Sequence, residues 1–205
     1  MATDNFTGTN NTLLTTHDAN WSLISGSDKA IIYNNGLSIS EWVNAFYRRT
    51  DSTADLSEVK LLTNNDTMAT ARVKVLVRTS SEHFGYGCIL NGNETTWTSI
   101  NLYKNDTYVT AAAVSYARSG NYTIRVTASG SSPATIKCYI DGDEVLSYND
   151  SSSPYTSGNP GLQLIGSVTN DFAFADDWTD GVSAASALPR RALSGPFYGS
   201  LRGSI

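Results

Sequence analysis

The stretch Gly120–Tyr148, GNYTIRVTASGSSPATIKCYIDGDEVLSY, decides the fold. Tyr122, Ile124, Val126 and Ala128 alternate with Thr123, Arg125 and Thr127, so an extended backbone collects the apolar set on one face and the polar set on the other. After a turn at Ser129-Gly130 the pattern resumes, with Ile136, Cys138 and Ile140 set against Lys137 and Tyr139. Asp141-Gly142 then gives a two-residue hairpin, because both central positions of such a turn take positive φ. The chain returns through Glu144–Tyr148, so three antiparallel strands are predicted, each with one apolar face.

The same period recurs upstream. In Thr70–Arg78, Val73, Val75 and Val77 are predicted to face a core while Arg72, Lys74 and Arg78 face water. Further strands are predicted at Trp21–Ser25, Ala30–Tyr33, Val43–Arg49, Val59–Thr63, Phe84–Leu90, Thr95–Tyr103, Thr107–Ala117, Gly161–Val168 and Phe172–Trp178. A helix competes only at Ser40–Arg49, where the Tyr, Phe and Val content favours a strand. Trp21, Trp42 and Trp178 are assigned to the core. Short strands with turns every eight to twelve residues are best buried as two sheets face to face. The expectation is an all-β chain, a two-sheet antiparallel β-sandwich over residues 1–180 followed by an extended C-terminal tail, 181–205.

Composition narrows the function classes. The chain has 205 residues, 40% hydrophobic and 16% charged, with a net charge of −5. Its positive residues form no cluster on a predicted helix, which argues against nucleic acid as a partner. No apolar run approaches the roughly 20 residues that cross a bilayer, and Met1–Asn11 has neither a basic start nor an apolar stretch, so no membrane partner and an unprocessed N-terminus are expected. The tail from Gly181 differs: it is rich in small residues and carries three Arg and no acid, leaving −8 on residues 1–180 and +3 on the tail. Such a segment cannot order itself by its own burial, so the domain surface, a sister subunit or a larger assembly is expected to hold it, and in an assembly Pro189, Arg190, Arg191, Phe197, Tyr198 and Leu201 would dock on a neighbour.

The runs Gly120–Gly130, Ile136–Gly142, Val145–Tyr148, Gly161-Leu162 and Phe174-Ala-Asp-Asp-Trp178 resemble the C-terminal half of concanavalin A-like lectin/glucanase domains, the laminin-G-type jelly rolls. Asp4-Asn5-Phe6 resembles the first strand of such domains, which lies near the last one. The resemblance implies a concanavalin A-like jelly roll and says little about ligand. Glucanases of this type use Glu-x-Asp-x-x-Glu to set paired carboxylates against the sugar, and this sequence lacks it. The nearest acidic cluster, Asp51, Asp55 and Glu58, does not fit one strand face and reads as a solvated loop, and Asp141, Asp143 and Glu144 read as hairpin. A non-enzymatic protein is expected.

Other chemistries find little support. His17 and His83 sit in polar loops, outside any nucleophile motif, and read as surface histidines. Two His and two Cys at scattered positions do not suit zinc. Jelly rolls of this type often hold a structural calcium, for which Asp4 and Asp177, with Asp176 and Asp180, are the candidate ligands, against the alternative that they cap strand ends in water. Cys88 and Cys138 both point inward; buried thiols are expected, with a disulfide open if their strands face each other. Eight Asn-x-Ser/Thr sequons occur, as an Asn- and Thr-rich composition generates by itself, and glycosylation is not inferred.

Two functions survive. The leading expectation is a structural protein of a tailed-bacteriophage virion, assembled in the host cytoplasm as a capsid decoration or tail-associated protein, whose tail docks on other virion proteins or sister subunits. The alternative is a carbohydrate-binding module. Trp97, Tyr103, Tyr86, Tyr108 and Tyr47 would supply flat faces for glycans, and Arg72, Arg78, Asn91, Asn93 and Asn101 the polar partners. No cofactor is expected beyond the candidate calcium.

Overall fold

The computed structural model describes residues 1–62, 72–93, 95–166 and 175–181. The N-terminal part carries β1 (Thr3–Asp4), β2 (Thr12–Leu13), a one-turn helix α1 (Leu14–His17), β3 (Trp21–Ser25), β4 (Ala30–Ile32), β5 (Leu37–Ile39), β6 (Val43–Arg49) and β7 (Leu56–Leu61). The middle carries β8 (Arg72–Thr79), β9 (Tyr86–Gly92), β10 (Thr96–Lys104) and β11 (Thr107–Ala117). The C-terminal part carries β12 (Tyr122–Ser129), β13 (Ala134–Ile140), β14 (Asp143–Asp150), β15 (Asn159–Gly166) and β16 (Ala175–Thr179). The assembly-tail residues Pro189, Arg190, Arg191, Phe197, Tyr198 and Leu201 lie outside the described residues, as do Thr63, Thr70, Ala71, Ser167, Val168 and Phe172–Phe174 of four predicted strands.

Two antiparallel sheets form a sandwich. A nine-stranded sheet runs β14-β13-β12-β7-β16-β5-β4-β2, with β1 added against β16, and a seven-stranded sheet runs β11-β10-β9-β8-β15-β6-β3. The β12–β13–β14 meander forms as its alternation predicts: Ile124, Val126, Ile136, Cys138 and Ile140 are fully buried. Asp141 and Gly142 take φ of 51° and 90°, the left-handed pair that a two-residue hairpin requires. From the other sheet Val75, Val77, Tyr86, Cys88, Ile100, Leu102, Leu162 and Leu164 close the same core.

Cys88 on β9 and Cys138 on β13 form a disulfide, with Cα atoms 6.3 Å apart, so the expected reduced thiols are corrected to a covalent tie between the sheets. Both lie on inward positions of strands that face each other across the core, the one condition the sequence left open.

A second tie joins β1 and β16 to the middle of the chain. Arg49, inward on β6 and buried, lies against the rings of both Trp21 (5.2 Å) and Trp178 (5.3 Å), which meet each other edge to face at 5.0 Å. Its guanidinium bonds Asp18 at 2.6 Å and Asp51 at 2.8 and 2.7 Å. Asp4 accepts from Trp21 Nε1 (2.8 Å) and the Phe6 amide (2.8 Å), and meets His17 Nε2 at 3.0 Å. Of the candidate calcium ligands, Asp4 is engaged in this network and Asp177 meets Lys60 at 3.2 Å. The arrangement corrects two expectations. His17 belongs to the buried network, and Asp51 is a partner of a buried cation instead of a solvated loop acid.

Trp42 is also corrected. It precedes β6 and is 69% exposed, because the next residue, Val43, takes the inward position.

Two stability outcomes follow from these ties. Closing a 50-residue separation stabilises by about 4 kcal/mol through loss of unfolded-chain entropy. A Cys88→Ala/Cys138→Ala variant is therefore expected to melt well below the parent, and an unchanged Tm would refute the tie. The Arg49 hydrogen bonds hold the Asp51 carboxyl below its usual value. The unfolded chain then takes up that proton more readily than the native one, so the contribution is present above the ordinary carboxylate range and is lost as pH falls through the native value. Asp51→Asn is expected to flatten the acid limb of a stability-versus-pH curve.

Candidate functional site

The strand parity that fills the core also fixes what lies on the opposite face of the seven-stranded sheet. Register across β6, β15, β8, β9 and β10 aligns three rows of outward residues. One runs Arg48, Gly161, Leu76, Gly87, Tyr103. The next runs Phe46, Gln163, Lys74, Ile89, Asn101, and the third runs Asn44, Ile165, Arg72, Asn91, Ser99. None of these fifteen positions carries a carboxylate.

This face is not the wet surface that alternation in β8 predicts. Lys74, Leu76, Gln163, Ile89 and Phe46 are all buried. The β8–β9 loop folds back over it, stacking Phe84 on Phe46 with ring centroids 3.8 Å apart. Gly87 leaves the space into which Lys74 and Leu76 lie down: a Cβ there would come within 2.7 Å of Lys74 Cδ and 2.5 Å of Leu76 Cδ2. At the far margin Tyr103 and Tyr108 meet edge to face at 5.9 Å, with Tyr108 55% exposed. The Lys74 ammonium sits 3.9 Å from the centre of the Tyr103 ring and bonds Asp106 at 2.6 Å. Burial pulls its pKa down, and Asp106 opposes the shift.

Polar capacity is left over on this floor. Gln163 donates from Nε2 to Asn44 Oδ1 at 2.7 Å, yet its own buried Oε1 has no partner among the described residues. Asn101 Oδ1 and Arg48 Nε are likewise buried and unpartnered. A buried polar atom without a hydrogen bond costs about 1–3 kcal/mol, so native chains keep few of them and rarely on one face. Arg72 is held by the neutral Asn91 Oδ1 at 2.5 Å.

The other sequence candidates divide sharply. Tyr103, Tyr108, Arg72, Asn91 and Asn101 come together on this face. Trp97 does not: it packs into the core at 8% exposure, under the Arg118 guanidinium at 4.3 Å, because a bulge between Trp97 and Ser99 turns it inward. Tyr86 is fully buried, donating to Asp150 at 2.7 Å and accepting from the Tyr155 amide at 2.9 Å. Burial and then the Asp150 bond push its phenol pKa up. Tyr47 is buried against Asp28 at 3.0 Å. Arg78, with φ 54° at the end of β8, reaches the rim between the sheets. There it bonds Asp55 twice at 2.8 Å and the carbonyls of Gly130 (2.9 Å) and Tyr155 (2.6 Å), so it ties loops together and is not free for a glycan. Asn93 caps its own turn through Thr95 and Thr96.

Sequence reading missed Lys74, Gln163, Arg48, Asn44 and the Phe46–Phe84 stack. Their outward parity was visible, but the sheet to which each strand belongs was not. Among the described residues no group of three or more His, Cys, Asp or Glu is placed to hold a metal ion.

No family model and no curated protein matches the chain in sequence. Solved structures do match in shape. The potassium-bound carbohydrate recognition domain of Emp46p superposes with a TM-score of 0.54 at 13% identity, over 84% of this chain and 94% of that one. The Bacillus licheniformis β-glucanase gives 0.52 at 14% identity, over 86% and 95%. LamA from Z. galactanivorans, solved with laminaritriose and laminaritetraose, gives 0.52 at 9% identity, over 87% and 94%. At these identities the likeness concerns architecture alone, and it covers lectin and glucanase alike. The two antiparallel sheets, the order of their strands and these superpositions together make the chain a concanavalin A-like jelly roll.

Proposed function

We propose that the chain binds carbohydrate on the outer face of the seven-stranded sheet. The observation that carries this reading is the placement of the unpartnered Gln163 Oε1, Asn101 Oδ1 and Arg48 Nε on the same face of one sheet. Sugar hydroxyls donate to amide oxygens and accept from guanidinium, while their C–H faces stack on rings such as Tyr108 and the Phe46–Phe84 pair. The lectin and glucan-bound neighbours support the same class of ligand. Binding without hydrolysis is the proposed activity. Glycosidic cleavage of the usual kind needs two carboxyl groups flanking the bond, and the outward rows of this sheet offer amides and cations in their place.

The test is calorimetric titration with a panel of soluble glucans and acidic polysaccharides, alongside a reducing-sugar assay. The full chain is expected to bind at least one of them and to release no reducing ends. Gln163→Leu is expected to weaken binding by about tenfold with little change in Tm, because loss of the bond to the exposed Asn44 is offset by removal of a buried, unpartnered acceptor. Equal binding by parent and Gln163→Leu, or none to any member of the panel, would refute the site.

Assembly with sister subunits, the class to which the virion reading belongs, has one observation of its own. β11 is an edge strand of eleven residues without Lys, Arg, Asp, Glu or Pro, and Ala111, Ala113, Ser115 and Ala117 are exposed along it. Edges that avoid pairing usually carry such charged or proline residues. Light scattering is expected to show a dimer that Ala113→Lys dissociates and that survives deletion of residues 182–205 only if the tail is not the contact. A monomeric parent would set the assembly reading aside.

A further inference from the structure

We infer that the saccharide bound by this face is anionic, carrying carboxylate or sulfate groups; the inference rests on the carbohydrate reading above and sharpens it. Its basis is a charge inventory. The chain has 19 acidic against 14 basic residues, so cations are the scarce species. All five lysines have a carboxylate within 4.0 Å: Lys29 with Glu41, Lys60 with Asp176 and Asp177, Lys74 with Asp106, Lys104 with Asp150, and Lys137 with Glu144. Arg49, Arg78 and Arg125 are paired in the same way with Asp18 and Asp51, Asp55 and Glu58.

Arg48 and Arg72 depart from that pattern. Among the described residues neither has a carboxylate partner: Arg72 is steadied by a neutral amide, and Arg48 keeps its Nε buried and unbonded. Both stand on the outer face of the seven-stranded sheet, in rows on either side of Gln163 and Lys74. Eight of the described cations sit beside carboxylates, and Arg118 is engaged by the Asn93 carbonyl and the Trp97 ring; Arg48 and Arg72 stand without a carboxylate on the same outer sheet face, which makes that face an anion site. Guanidinium is the group suited to it, since its planar fork matches a carboxylate or sulfate with two parallel hydrogen bonds.

The spacing sets the size of the ligand. One strand separates β6 from β8, and four residues of β15 separate the partners of Arg48 and Arg72, which places their Cα atoms about 16 Å apart. A single sugar does not bridge that gap, whereas an oligosaccharide with acidic groups on separate residues does. Gln163 and Asn101, lying between and beside the two cations, then address hydroxyls of the intervening residues.

Three probes separate the possibilities: laminarin as a neutral glucan, polygalacturonate for carboxylates and dextran sulfate for sulfates. At low salt one of the two polyanions is expected to bind at least about tenfold more tightly than laminarin, with the preference shrinking as salt is raised. Which polyanion wins identifies the acidic group. In Arg48→Gln and Arg72→Gln the ratio of polyanion to laminarin affinity is expected to fall by about tenfold, with Tm measured alongside to confirm folding. Laminarin bound as well as either polyanion would overturn the anion inference and leave the carbohydrate site standing. A polyanion preference that survives in the Arg48→Gln/Arg72→Gln double variant would place the anion site elsewhere and overturn it too. No binding by any probe would refute both.

Discussion

The closure of this sandwich depends on one buried cation. Arg49 packs on both Trp21 of the seven-stranded sheet and Trp178 of the nine-stranded sheet where the two rings meet, and its hydrogen bonds reach Asp18 and Asp51. Burying a guanidinium is unfavourable unless its donors are satisfied, so the residues that satisfy it are fixed in place with it. Asp4 completes the arrangement from β1, the strand that pairs with β16. The two ends of the domain are thereby held against the middle of the chain, and a network of ordinary side chains occupies the place where a metal was considered.

That closure divides every strand into an inward and an outward face, and the division explains what could be read from sequence. Where one face is apolar and the other polar, as in β12 and β13, alternation alone gave strand, face and turn, and Asp141-Gly142 gave the hairpin. It misled in β8. Val73, Val75 and Val77 are inward as expected, but Lys74 is covered from the other side by Tyr103 and Asp106, and that cover comes from residues thirty positions away. Single-residue details failed for local reasons. A bulge turns Trp97 inward, the inward demand of Val43 leaves Trp42 outside, and a left-handed φ carries Arg78 off the sheet to the rim. Cys88 and Cys138 were each read as inward, and their bond required knowing that β9 faces β13, which periodicity does not contain.

The site was legible only in part for the same reason. Tyr103, Tyr108 and Asn101 were nominated as surface groups suited to sugars, and they do meet on one face. Gln163 and Arg48 carry no composition signal; they become notable only once register puts them in neighbouring rows and burial strips them of water. A polar residue on a strand is ordinary, whereas a buried amide oxygen without a donor is not.

Stability and recognition pull against each other on this face. Filling it with apolar residues in the manner of the core would remove the desolvation of Lys74 and the idle acceptors of Gln163 and Asn101. Chains tolerate such local inconsistency mainly where a ligand completes it. The rim of the molecule shows the contrast, since each guanidinium nitrogen of Arg78 there bonds Asp55 or a carbonyl. The same residue types thus do two jobs in one fold, and what separates them is whether the polypeptide itself completes their hydrogen bonds. On the outer face of the seven-stranded sheet it does not for Gln163 Oε1, Asn101 Oδ1 and Arg48 Nε, and that unmet capacity is what the proposed ligand would complete at the expense of packing.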